Sequence, residues 1–116
     1  MPFHRLTPEP GEGSTMIRHV VAFRLATADP DARHRQAADI RDRLTSLVGQ
    51  IPGLLALDVF EDVGVVPSHW PLILISDFET AEALDRYMVD PRHRAVVEWM
   101  NDGIVVDRAA VDYDVG

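Results

Sequence analysis

The order of strand-like and helix-like segments constrains the fold of this chain more than any other feature of its sequence. Short segments rich in valine, leucine and aromatic residues are separated by amphipathic segments whose apolar residues recur every three or four positions. Strands are predicted at 16–25, 54–62, 70–78 and 109–115, and helices at 29–51, after Thr80, and from Asp90 to about Asn101. The order β-α-β-β-α-β, with the second helix split in two, predicts an α+β, ferredoxin-like protomer. Its four-stranded antiparallel sheet would carry the helices on one face.

Local residue types mark where these helices begin and end. Asp29 precedes Pro30, and Asp90 precedes Pro91, which is the pattern of a capping side chain followed by a proline in the first helical turn. The pair at 52–53, proline then glycine, stops the first helix. These signals divide the chain into the same elements as the apolar periodicity does.

The predicted strands are apolar on both sides of the sheet. In the first strand Val21 and Phe23 point to one face and Val20 to the other, and in the third strand leucine and isoleucine are divided in the same way. An antiparallel sheet covered on one side normally carries polar residues on the other. Two helical layers cover only one face, so we predict a homodimer through the helix-free sheet face. The alternative is a sheet that stays partly exposed, with mixed residues at its edges.

Charge and composition exclude several classes of function. The 116 residues carry a net charge of −8, and an acidic chain repels the phosphate backbone, so no nucleic-acid partner is expected. No apolar run approaches the roughly 20 residues of a membrane span, and the N-terminus lacks a signal-peptide core, so a cytoplasmic protein without membrane association is expected. Cysteine is absent, which excludes disulfides and thiolate metal sites.

Residues 1–15, with their prolines and glycines, are expected to be a flexible extension before one domain at 16–116.

The last predicted helix carries a titratable side chain on its apolar face. His93 lies in line with Val97 and Met100, at the i, i+4 and i+7 positions of an amphipathic helix. A neutral imidazole there could act as a general base that removes a proton between two carbonyl groups. Tyr87 could then donate a hydrogen bond to the oxygen of the resulting enolate. The structural alternative is that His93 bonds a backbone carbonyl or Asp90, with Tyr87 as an ordinary core residue.

Metal and cofactor sites are not expected. The five histidines, at positions 4, 19, 34, 69 and 93, show neither H-x-H nor H-x-x-x-H spacing. A rival class, the monooxygenases of related fold that act on haem or quinones, uses asparagine, tryptophan and histidine. The single asparagine here is Asn101, late in a predicted helix rather than on the first strand, which disfavours that class.

Four segments in order resemble one known family. These segments are "MIRHVVAFRL", "IPGLLALDVFED", "DFETAEALDRYMVDPRHRAVVE" and "VDYDV". Together they look like the dimeric α/β-barrel family, also called the Dabb or stress-responsive A/B barrel family. The resemblance covers residues 16–116. It implies a ferredoxin-like protomer, a dimer joined through its sheets, and a stress-related or small-ligand-binding role without established catalysis.

The same family contains a plant polyketide cyclase that closes a poly-β-keto chain by an intramolecular aldol step without a cofactor. Its Tyr-x-x-His-Pro-x-His stretch is similar to "YMVDPRH" here, so the resemblance implies Tyr87 and His93 as a catalytic pair. It also implies His19 as a ligand-binding residue. The first histidine of the motif is Asp90 in this chain, and a further pocket histidine is replaced near Leu72. Two hypotheses therefore stay open: a protein that binds a small carbonyl or aromatic ligand, and a cofactor-free cyclase or lyase.

Overall fold

The computed structural model describes residues 15–115, and the order of their elements confirms the ferredoxin-like prediction. The strands are β1 (Ile17–Leu25), β2 (Leu54–Glu61), β3 (Leu72–Phe78) and β4 (Val105–Asp114). The helices are α1 (Pro30–Thr45), α2 (Ala81–Val89) and α3 (Pro91–Asn101). The predicted flexible extension at 1–15 lies outside the described residues apart from Thr15. It stays a prediction, and so does the domain boundary at residue 16.

Within residues 15–115, one antiparallel sheet and three helices enclose an apolar core. The strand order is β2-β3-β1-β4, so β1 and β3 are central. Alternate residues of the strands, including Val21, Phe23 and Leu74, pack with Ile40 of α1 and Met100 of α3 in this core. The apolar residues on one side of the strands therefore pack against the apolar stripes of the helices, at one face of the sheet. Among residues 15–115, no helix has the length and apolar character needed to cross a membrane.

The first helix is shorter than predicted. α1 ends at Thr45, whereas the sequence pattern predicted a helix that continues to Ile51. The chain goes on in tight turns in which the N–H of Leu47 donates to the carbonyl of Leu44 at 3.1 Å, a three-residue bond. Leu47 and Ile51 are still buried in the core. The prediction therefore placed these apolar residues on the correct face, but it was wrong in continuing the helix beyond residue 45.

The last strand is longer than predicted. β4 begins at Val105, four residues before the expected start at Ala109. Its pairing with β1 continues past a register shift, beyond which Val105 lies opposite Leu25. The shift interrupts the alternation at Val105 and Val106, and the next two residues, Asp107 and Arg108, are both charged. Apolar alternation therefore begins only at Ala109, which is why periodicity missed the first part of the strand.

The predicted capping residues Asp29 and Asp90 begin α1 and α3, Thr80 begins α2, and Asp90 also joins α2 to α3. Asp90 ends α2 and begins α3, so the chain changes direction at this residue. This turn brings the end of α2, with Tyr87, next to the start of α3, with His93. Each capping side chain accepts a hydrogen bond from a backbone N–H in the first turn of its helix. The donors are Ala32 to Asp29 at 3.0 Å, Ala83 to Thr80 at 3.1 Å, and Arg92 to Asp90 at 2.9 Å.

The helix-free face of the sheet is less uniformly apolar than the sequence pattern predicted. Val20 and Ile75, which lie opposite each other on the central strands, are partly exposed on it. Beside them, Arg18 and Asp77 form a two-point ion pair, with Nε to Oδ1 at 2.8 Å and Nη2 to Oδ2 at 2.9 Å. Their side chains are only 11% and 3% exposed. This face therefore combines apolar residues with a buried ion pair.

Candidate functional site

A cavity of about 340 Å³ lies between the helical side of the sheet and α3. That volume is near the lower end of the usual range for small-ligand pockets. Most of its wall is apolar and comes from Val21, Phe23, Leu44, Leu74, Val97 and Met100. Three polar rings, those of His19, Tyr87 and His93, also line it. The three residues singled out from the sequence thus share one cavity.

Tyr87 and His93 are in direct contact. Their ring centroids are 4.0 Å apart with an angle of 32° between the ring planes, and Phe78 lies behind Tyr87 at 4.9 Å. Tyr87 is 1% exposed and His93 is 8% exposed. The two rings are therefore fixed by packing, while both residues contribute to the cavity wall.

The environment of His93 favours its neutral form. Burial lowers the pKa of this imidazole to about 4, and the charge that His19 can carry acts in the same direction. The backbone of Met88 and Tyr87 and the Asp90 carboxylate oppose this effect only in part. Its Nδ1 is buried without a hydrogen-bond partner among residues 15–115. Asp90 bonds Arg92 rather than His93. The backbone of Met88 and Tyr87 does interact with the ring, so the expected contact with a backbone carbonyl stays an alternative to a functional role.

Tyr87 is held as a phenol. Burial raises its pKa well above the usual value near 10, so the hydroxyl keeps its proton at any physiological pH. A phenol in an apolar wall can donate a hydrogen bond to a ligand oxygen, and this bond strengthens if negative charge develops on that oxygen. The described environment of Tyr87 thus suits a donor rather than a base.

Asp112 is the partner of the cavity residue His19, and the sequence pattern did not indicate this contact. It lies opposite His19 in the pairing of β1 with β4, and its Oδ1 is 2.5 Å from Nδ1 of His19. A carboxylate only accepts hydrogen bonds, so Nδ1 of His19 is the donor in this contact, and Nε2 is the ring nitrogen that Asp112 leaves available to a ligand. The segment "VDYDV" contained Asp112, but only the strand register shows that it faces His19.

The remaining described histidines are remote from the cavity. His34 lies 3.0 Å from Glu61, and His69 lies 3.3 Å from Asp62, in both cases through Nδ1 and on exposed surface. His4 lies outside the described residues. Within residues 15–115, no group of three or more histidine, aspartate or glutamate side chains is arranged to hold a metal ion.

The depressed pKa of His93 predicts a pH dependence of stability. Its folded pKa, about 4, lies below the unfolded value of 6.5, so the unfolded chain binds the proton more readily between these pH values. The folded state should therefore lose stability as the pH falls from about 6.5 to 4. At about 1.36 kcal/mol per pKa unit, and allowing for screening by water in the cavity, we expect a loss of about 1–3 kcal/mol.

Urea denaturation of the wild type and of His93→Asn at several pH values measures this effect. The variant has no imidazole at this position, so its stability should change less over the same interval. His34→Asn is the control, since the His34 side chain is 80% exposed, and it should follow the wild type. Equal pH dependence in the wild type and His93→Asn would contradict the buried, neutral state of His93.

A family model matches nearly the whole described part of the chain, and solved structures share its fold. The stress responsive A/B barrel domain, Dabb, matches residues 17–115. A Dabb family protein with a ferredoxin-like fold from Mesorhizobium loti is 22% identical, with a TM-score of 0.68 over 86% of this chain and 96% of that one. A dimeric protein of unknown function from Bacteroides fragilis is 23% identical, with a TM-score of 0.72 over 85% and 95% of the two chains.

An enzyme is also among the similar structures. The hydroxynitrile lyase from Passiflora edulis is 12% identical, with a TM-score of 0.66 over 88% of this chain and 94% of the lyase. Such low identities show a common fold alone. Among curated proteins, none matches this sequence. Because the Dabb match spans nearly the whole described range, this chain belongs to the stress responsive A/B barrel domain family.

Proposed function

We propose that this protein binds a small, largely apolar carbonyl or aromatic ligand in the cavity beneath α3. The observation that carries the proposal is an apolar cavity into which three polar rings converge, His19, Tyr87 and His93. Ligand sites commonly combine an apolar wall with a few placed polar groups. The Nδ1 atom of His93, buried without a partner, adds a polar group that the described residues do not satisfy.

Ligand-observed NMR with 4-phenylbutan-2-one as the probe tests this proposal. The probe has an aromatic body and one ketone oxygen, and we expect its signals to broaden when the protein is added. Val97→Phe should abolish the broadening, since residue 97 lines the cavity and the larger ring would occupy it. Ala95→Phe is the matched control, at an exposed position of the same helix. Broadening that survives Val97→Phe would place the probe elsewhere and contradict the proposal.

A second candidate function is cofactor-free catalysis on such a carbonyl compound. Its support is the pairing of His19 with Asp112, together with the Tyr87 phenol in the same cavity. We propose that Nε2 of His19 removes a proton next to the ligand carbonyl, while Tyr87 donates a hydrogen bond to the enolate oxygen. His93, with its pKa near 4, is a weak base and would instead help to bind the ligand. Aldol closure and cyanohydrin cleavage both use a base and hydrogen-bond donors of this kind.

Deuterium exchange into 4-phenylbutan-2-one tests the catalytic candidate without knowledge of the natural substrate. The protein should accelerate exchange of the protons next to the ketone in D₂O, and His19→Gln should slow the catalysed rate by about 100-fold. Tyr87→Phe should also slow it, through loss of the donor. His34→Gln should leave it unchanged. Exchange no faster than in buffer alone would reject catalysis and leave the binding proposal standing.

We also propose that the protein is a homodimer through the helix-free sheet face. Val111 and Tyr113 lie on that face, opposite Val20 and Arg18, and are 66% and 47% exposed in the isolated chain. Apolar side chains exposed side by side usually mark an interface. The similar proteins from Bacteroides fragilis and Thermobifida fusca are described as dimeric.

Light scattering at micromolar concentration should give twice the monomer mass for the wild type. Val111→Asp should shift the protein to the monomer, because it places an unpaired charge in the interface. Val89→Asp is the matched control, since Val89 is also 66% exposed but lies at the end of α2 in the helical layer. A monomeric wild type, or dissociation of both variants alike, would contradict an interface on the helix-free face.

A further inference from the structure

The mouth of the cavity carries charged side chains that the function proposed above does not use. Arg94 and Glu98 of α3 and Arg108 of β4 line it, together with Asn101. We infer, on the basis of the proposed ligand site, that the ligand is an organic acid with a single carboxylate. Its apolar body would occupy the cavity, and its carboxylate would lie at the mouth between Arg94 and Arg108.

Arg94 is a cation at the mouth without an ion pair. Its side chain is exposed, and no carboxylate lies within 4.0 Å of it in the described part of the chain. Glu98 is four residues further along α3, at the spacing that often gives a helical ion pair, yet the two are not paired. By contrast, Arg18, Arg41 and Arg92 each contact an aspartate. The guanidinium of Arg94 is therefore available to an incoming anion.

Arg108 is held at the same mouth by contacts that leave donors unused. It projects from β4 opposite Phe23, and its Cζ lies 5.7 Å from the centroid of that ring. One nitrogen, Nη2, donates to Oδ1 of Asn101 at 2.8 Å. A guanidinium has five N–H donors, so this bond orients the group and leaves others for a ligand. A carboxylate is the planar anion that such donors bind best.

The balance of charge favours a monoanion. The chain as a whole carries a net charge of −8, so most of its surface repels an anionic ligand. Among the described residues at the cavity mouth, two arginines face one glutamate, which leaves a local excess of one positive charge in that set. The wall behind them is mostly apolar and suits an uncharged body. A single carboxylate attached to an apolar group matches both regions.

Calorimetry with two probes of one shape tests this inference. 4-Phenylbutanoic acid and 4-phenylbutanamide differ only in the charged group, and we expect the acid to bind about tenfold more tightly. Arg94→Gln and Arg108→Gln should each reduce this preference, whereas Glu98→Gln should strengthen binding of the acid and leave the amide unchanged. Arg35→Gln, at an exposed position of α1 outside the cavity wall, should leave both affinities unchanged.

The possible outcomes separate this inference from the function on which it rests. Equal binding of acid and amide would overturn the carboxylate assignment and leave the cavity as a ligand site. Tighter binding of 2-phenylethyl phosphate than of the acid would also overturn it, because a dianion would then be preferred. If the acid, the amide and the ketone all fail to bind, the ligand site itself is contradicted. A preference for the acid that survives both arginine substitutions would show that the carboxylate lies elsewhere.

Discussion

Replacement of Asp77 by alanine is expected to lower the free energy of unfolding by about 3–5 kcal/mol, because the change leaves the Arg18 guanidinium buried without its carboxylate. Asp77 is 2% exposed and accepts two hydrogen bonds from Arg18 across the β1–β3 pairing. Removal of one member of a buried ion pair costs more than the pair itself contributes, because the other charge stays buried. Urea denaturation at a fixed protein concentration measures the loss.

An exposed ion pair supplies the control. Arg41 contacts Asp58 at 2.8 Å with a side chain that is 55% exposed, so Arg41→Gln should cost less than about 1 kcal/mol. The double variant Arg18→Met, Asp77→Leu should recover much of the stability lost in Asp77→Ala, since it removes both charges at once. A loss in Asp77→Ala as small as in the control would show that water reaches the pair.

The second large effect is expected at Gly53, between α1 and β2. Gly53 has a φ of +86°, and a Cβ added there would lie 2.5 Å from Cβ of Ala83, a fully buried residue of α2. Its carbonyl also accepts a hydrogen bond from the N–H of Glu79 at 2.9 Å, which restricts how far the backbone can move. Gly53→Ala should therefore lower the free energy of unfolding by about 2–4 kcal/mol, from backbone strain and overpacking together.

Gly49 separates these two contributions. Its φ is +87°, but no atom lies within 4 Å of an added Cβ. Gly49→Ala should thus show only the backbone strain, about 1 kcal/mol. Thermal or urea denaturation of the two variants gives the difference, which is the cost of the contact with Ala83. Equal losses at both positions would mean that α2 shifts to accommodate the extra methyl group.

Local sequence signals determined the elements and most of their faces. The capping aspartates, the prolines that follow them and the glycine at 53 carry their effect within a few residues, so they can be read without the fold. The apolar periodicity placed His93 on the inner side of its helix for the same reason. The ferredoxin-like order and the family were therefore predictable. A catalytic role for His93 or Tyr87 stays a prediction.

Contacts between residues distant in sequence were decided only by the tertiary structure. Asp112 meets His19 because β4 pairs with β1 in one register, and a shift by one residue would turn Asp112 to the opposite face. Arg18 and Asp77, 59 positions apart, likewise form an ion pair only once β1 and β3 are aligned. Period-2 alternation says which residues share a face, but it does not say which residue of another strand lies opposite. The fold was therefore encoded locally, whereas the polar partner of the cavity residue His19 and the ion pair on the helix-free face depend on strand register.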